Sequence, residues 1–217
     1  MINKFSDYDD IQVFEGGAQL EPGGYELKII NAKVEQFTNC EILKVAFDII
    51  NNDKYAGFYS TRFKSAKAQN ANAKWGGVFD VFIPKDDGTE NDGYTKQAFK
   101  RFITSVERSN GGYTWNWDEN SLKGKMFGGV FGREQFQTKE GDLKFAIKCR
   151  FPRSIESIRS GDFQIPKDKL LKNHDELIDK AADKEAQQLS GMPQQFVAQD
   201  SVLADYEEIL GDNEVPF

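Results

Sequence analysis

The sequence predicts a mainly β protein: five short strands, one helix between the third and the fourth, and an acidic C-terminal arm. Three observations carry this. Apolar and polar residues alternate in short runs bounded by Gly, Pro and Asn, the signature of half-buried strands. Within the body, one segment, TKQAFKRFITSVERSNGG, shows a sustained helical stripe. Charge is also segregated: residues 24–153 hold 21 Lys and Arg against 16 Asp and Glu, whereas residues 170–217 hold 3 against 11. The net charge of −7 over 217 residues therefore describes neither part, because a basic body is flanked by acidic ends.

The elements follow in order. Residues 1–19 read as an irregular acidic lead-in that gives way to the turn at Pro22, Gly23 and Gly24. GYELKIINAKVE is the first strand, with Tyr25, Leu27 and Ile29 alternating against Glu26 and Lys28. ILKVAFDII is the second, placing Leu43, Val45, Phe47 and Ile49 on one face. YAGFYSTRF reads as the third strand, ending in Arg62 and Lys64 and followed by the polar stretch KSAKAQNANAK. VFDVFIP reads as a further strand-like run with no assigned place in the sheet, and PKDDGTENDG as a solvated turn. That turn lacks the ordered acidic spacing of a calcium loop. In the helix, Ala98, Phe99, Phe102, Ile103 and Val106 form the stripe and Gly111 is the predicted stop.

LKGKMFGGVFGREQFQ and DLKFAIKCRF form the last two strands, joined by TKEGD. Glycines at 124, 128, 129 and 132 suit a strand that bulges or coils sharply. Three strands, a helix and two strands is the element order of an OB-like fold, a five-stranded and partly open barrel. The predicted domain spans residues 20–155. Residues 156–217 form an extension whose part from 170 onward is weakly helical, largely disordered and acidic.

Composition narrows the function. No apolar run approaches the roughly 20 residues that span a bilayer, which predicts no membrane partner. The opening MINKFSDYDD lacks the layout of a secretory signal. Cys40 and Cys149 lie outside any redox or metal spacing and read as packing residues, so the expected compartment is a reducing cytoplasm. His174 is the single histidine, and no nucleophile elbow, phosphate-binding glycine loop, HExxH or CxxC occurs. No enzyme, cofactor or metal is expected.

Binding features are richer. Single strands of nucleic acid are held by a positive groove with aromatic faces on which bases stack. The fifth strand offers Lys144, Lys148 and Arg150 on one face, opposite Leu143, Phe145, Ile147 and Phe151. Arg62, Lys64, Lys67, Lys74 and Trp75 follow one another along the chain, and the last hairpin carries Arg133, Phe136 and Lys139. Phe37 sits in the loop after the first strand. Any one aromatic in such a domain is more often core than platform, and Trp115 and Trp117 read as packing beside the helix end. The set together is the signal.

The chain closes on GDNEVPF, an acidic run ending in an aromatic residue. A solubilising tail has no use for a terminal ring. A partner pocket could take the ring of Phe217 while a cation clamps its carboxylate, with Pro216 limiting the freedom lost on docking. Asp212 and Glu214 would steer the tail to basic surfaces, and Val215 would lie beside Pro216. This ending resembles the C-terminal tip of bacterial single-stranded DNA-binding proteins, acidic residues followed by Ile-Pro-Phe, with Val215 in place of the Ile. The body resembles a family of small phage-encoded proteins of replication and recombination modules, in GGYELKIINAKVE, KWGGVFDVFIPKDDG, YTWNWDENSLKGK and SGDFQIPKDK. The resemblance implies a sequence-tolerant single-stranded DNA-binding protein whose tip recruits host or phage replication proteins. A homo-oligomer is compatible with it. The alternative is an acidic interaction protein, a DNA mimic or inhibitor of a host nuclease.

Overall fold

The alternation that marks the first strand persists to Ile29 and then slips by one residue. Along β1 (Gly23–Gln36), Tyr25, Leu27 and Ile29 are buried, and after a bulge it is Ala32 that turns inward, leaving Ile30 exposed. This is a computed structural model, and it describes residues 19–139 and 141–178. The other elements are β2 (Glu41–Ile50), α1 (Phe58–Gln69), β3 (Val78–Ile83), α2 (Glu90–Ser109), β4 (Met126–Gln137), β5 (Leu143–Arg153) and α3 (Ile155–Ser160). A 3₁₀ turn at Glu119–Leu122 precedes β4.

The strands form one antiparallel sheet in the order β3-β2-β1-β4-β5. β1 is shared: its first residues, Gly23 to Lys28, pair with β4, while Glu26 to Gln36 pair with β2. β3 and β5 are the two edges. No ladder joins them among the described residues, so the sheet stays open rather than closing into a barrel.

One predicted strand is corrected, and the strand-like run VFDVFIP finds its place in the sheet. YAGFYSTRF is not the third strand: Tyr55 and Ala56 lie in a turn, and α1 begins at Phe58. Gly57 at the N-cap has no side chain to cap the helix, so a distant carboxylate does it. Asp48 on β2 accepts the backbone N–H of Tyr59 through Oδ1 (2.9 Å) and that of Ser60 through Oδ2 (3.1 Å), and it also takes the Ser60 hydroxyl. The third strand is instead VFDVFI, which pairs with β2 from Glu41 to Ala46.

α2 starts earlier than predicted because Thr89 caps it, accepting from the Asp92 N–H. Phe102, Ile103 and Val106 are buried and Phe99 half-buried, but Ala98 is exposed and does not belong to the stripe. Asn110, rather than Gly111, ends the helix, and its side chain bonds Val106 O and both backbone groups of Met126.

The core lies on the inner face of the sheet under α2. Phe47 meets Phe127 and Phe131 edge-on at 6.0 Å each, and Phe102 meets Phe127 at 5.6 Å. On the outer face, α3 and the segment after it pack against β1 and β4 at glycines. A Cβ at Gly128 would lie 2.4 Å from Ile158 Cγ1, and one at Gly132 2.5 Å from Pro166 Cγ. Close cover by the outer layer, more than sharp coiling, accounts for these glycines. Arg159 fixes α3 through a two-pronged bond to Glu26 (2.7 and 2.9 Å).

The chain divides into two units, one through Leu170 and one from Leu171. Of the second, residues 171–178 are described and contain a helical turn at 174–178. Residues 1–18 of the lead-in lie outside the described residues, as do Asp212, Glu214, Val215, Pro216 and Phe217.

Candidate nucleic-acid interface

An open sheet leaves a seam between its edges, and here side chains line it in place of a hydrogen-bonded ladder. The chain from Lys74 to Gly77 runs into it. Trp75 donates its indole N–H to Phe47 O and Gly77 O, 3.1 Å each, and its ring rests 5.5 Å from that of Phe63 on α1. Gly77 has no room for a side chain, since a Cβ would lie 2.4 Å from Phe47 O and 2.8 Å from the Tyr59 ring. Trp75 is thus half-buried against the core and forms part of the wall of the seam.

Two cavities lie along this seam, sharing Tyr59, Lys74, Gly76, Ile147 and Lys148. The first, about 550 Å³, has Arg62 and Phe63 of α1 on one side and Phe136, Phe145 and Lys148 on the other. No described carboxylate lines it. Phe136 is 41% exposed and shares this cavity with those cations.

The second cavity, about 830 Å³, is polar. Lys44, Lys74, Lys148, Arg150 and Lys169 line it with Glu35, Asp80 and Glu134. Lys44 is held by Asp80 (3.1 Å) and Glu35 (3.9 Å) and lies 6.0 Å from the Phe37 ring. Across the cavity, Glu134 faces Lys169 at 2.8 Å and Lys148 at 3.8 Å. The hydrogen bond from Lys169, then the charges of Lys148, Lys169 and Arg150, hold the Glu134 carboxyl below the usual range against the effect of its burial. Tyr59 goes the other way: burial raises its phenol, which stays neutral in the seam. Burial also raises the Cys149 thiol above its ordinary value.

The predicted residues divide accordingly. Phe37, Arg62, Lys74, Trp75, Phe136, Lys148 and Arg150 line the seam cavities. Lys64 and Lys67 are exposed on α1, with Lys67 Nζ 5.7 Å from the Phe63 ring. Lys139 is at the hairpin tip, and Lys144 sits opposite Phe136 with Asp142 at 3.7 Å. Arg133 stacks on Phe145 at 4.3 Å and has Asp168 at 3.4 Å.

Sequence reasoning missed Tyr59, Phe63, Phe145 and Lys169. Phe145 was assigned inward by alternation, and nothing local marks Lys169. Lys169 joins the site because its backbone bonds β4, Gln135 N to Lys169 O at 2.8 Å and Lys169 N to Arg133 O at 2.9 Å.

A separate groove of about 760 Å³ runs along α2, lined by Phe99, Ile103, Trp115 and Trp117 with Leu43 and Ile83. Trp115 packs against the core as predicted. Trp117 does not: it is 80% exposed, has a φ of +66°, and stacks on Phe99 at 6.4 Å.

Among the described residues no cluster of three or more His, Cys, Asp or Glu could hold a metal ion, and no helix is long and apolar enough to cross a membrane. No protein-family model matches the chain, and no curated protein matches it.

Proposed function

We propose that this chain is a sequence-tolerant single-stranded DNA-binding protein of phage or prophage replication or recombination, and that the strand lies along the β3–β5 seam. The observation that carries the reading is convergence. Arg62, Lys74, Phe136 and Lys148 come from four separate segments and meet in one cavity without a described carboxylate, beside an open aromatic face. Bases stack on such faces and phosphates are drawn to such cations. The strand order, with α2 between β3 and β4, suits an OB-type barrel whose last seam is left unpaired, and partly open OB barrels bind oligonucleotides. Binding of this kind requires no catalytic step and no cofactor.

Fluorescence anisotropy on oligo-dT and on duplex DNA across a salt series tests the reading. Tighter binding to oligo-dT, weakening as salt rises, is the expected result. Equal or tighter duplex binding, or none to either, would overturn it, and the last would favour the nuclease-inhibitor alternative.

The acidic tip completes the proposal as a recruiter of replication proteins. Phe217→Ala keeps the charge and removes the ring, so pull-down of partners should fail while oligo-dT affinity is unchanged. Full recovery of the partners by Phe217→Ala would remove the aromatic as a docking element.

A further inference from the structure

The seam contains one cation whose placement is unlike the others. Arg150 is the bulged residue of β5: pairing runs from Phe131↔Cys149 to Val130↔Phe151, so Arg150 has no partner across the ladder. Bulges re-aim side chains. The aliphatic stem of Arg150 passes beside Gly132, where a Cβ would lie 3.5 Å from its Cγ. Its Nη1 is sealed from solvent and forms no hydrogen bond with any described residue. A buried donor left unpaired is costly, and more so when it carries charge.

The surroundings do not remove that cost. Glu134 is the carboxylate on this wall, and Lys169 and Lys148 already face it. Lys74 lines the same cavity, and among the described residues no ion pair engages it. Positive charge is therefore in excess on the β5 side, while Asp80 and Glu35 neutralise Lys44 on the β3 side.

We propose that the cavity at Arg150 is an inner phosphate site, in which the guanidinium fork holds one phosphodiester of the bound strand with Lys148 and Lys74 around it. Planar, bidentate recognition of phosphate is what Arg does better than Lys. The source of the phosphate rests on the strand-binding reading above; the anion site itself rests on the bulge, the unpaired donor and the charge excess. The cleft is then divided in function. Phe136 and Phe145 stack bases in the carboxylate-free cavity, and Arg150 anchors the backbone in the polar one.

Oligo-dT affinity over a salt series, with 31P line broadening of inorganic phosphate, tests this on Arg150→Gln, Arg150→Lys and Phe136→Ala in the full chain. Arg150→Gln should lose about tenfold in affinity, the effect of one charge-assisted hydrogen bond, and should flatten the salt slope by about 0.7. It should also abolish phosphate broadening. Arg150→Lys should keep the slope and lose part of the affinity, so the site remains testable if the Gln variant melts early. Phe136→Ala should lose affinity at unchanged slope.

Normal slope and broadening in a folded Arg150→Gln variant, or affinity unchanged in Arg150→Lys where the Gln variant does not fold, would overturn the phosphate site. The strand reading would survive that result through Phe136→Ala. Arg150-dependent broadening without any oligo-dT binding would instead keep the anion site and overturn the strand as its ligand.

Discussion

The seam and the α2 groove both display aromatic rings to solvent, and the more exposed ring is in the groove, Trp117 against Phe136. They differ in what surrounds those rings. In the groove, Lys96 pairs with both Asp86 and Asp92, which raise its pKa and fix its charge locally, and Glu107 and Glu119 add further acid. In the carboxylate-free part of the seam, Arg62, Lys74 and Lys148 share a cavity with Phe136, and among the described residues no ion pair engages Arg62 or Lys74. An exposed aromatic is a platform for any apolar or π surface, and unneutralised charge beside it is what selects a polyanion. Exposure alone favours the groove, and the charge around the ring favours the seam.

The sharpest way to break this comparison is to remove charge from each region in turn. Lys144, Lys148 and Arg150 all changed to Ala should flatten the salt slope for oligo-dT by about 2 and cost on the order of a hundredfold at low salt, given about 0.7 per lost phosphate contact. Lys96 and Lys100 changed to Ala should leave both unchanged. Equal losses from the two regions, with both variants folded by circular dichroism, would erase the distinction. A smaller effect comes from the rings. Phe136→Ala should cost about 1–3 kcal/mol of strand affinity, whereas Trp117→Ala should cost none, despite its greater exposure. The reverse order in an anisotropy titration would move the strand to the groove.

The smallest effect concerns the outer layer that supports the seam from behind. The Arg159 hydrogen bonds hold the Glu26 carboxyl below its usual range. A depressed folded pKa contributes stability above the unfolded value and loses it as pH falls through the folded one. Thermal melts should therefore show Tm falling in acid by more in the intact protein than in Glu26→Gln, which has no proton to take up there. Parallel curves would show that the pair contributes nothing to docking α3.

Much of the scaffold was legible because its signals are local. Alternation placed Leu43, Val45, Phe47 and Ile49 on one face of β2, and all four are buried. The helical stripe placed Phe102, Ile103 and Val106 inside. Alternation failed where a bulge shifts the parity. Ala32 rather than Asn31 turns inward after Ile29, and Phe151 leaves the face of Phe145 and Ile147 because pairing resumes at Val130. It failed again at α1, whose first turn is capped by Asp48, a residue that from sequence merely occupies the outer face of β2.

The candidate site was legible as a set of residue types and not as a place. Basic and aromatic residues stood out by composition, which is a property of the chain. Which of them share a cavity depends on two unpaired strand edges, the tethering of Trp75 to Phe47 O and Gly77 O, and a backbone bridge at Lys169. The sequence by itself determined β1, β2, β4, β5 and the amphipathic helix, through periodicities of two and 3.6, and it determined the separation of a basic body from acidic ends. Tertiary structure alone decided that Arg62 sits on a helix across from Phe136 and that Arg150 Nη1, at a bulge, finds no hydrogen-bond partner among the described residues. The physical reason is that capping, register and charge neutralisation are settled between residues far apart in the chain, where no local pattern records them.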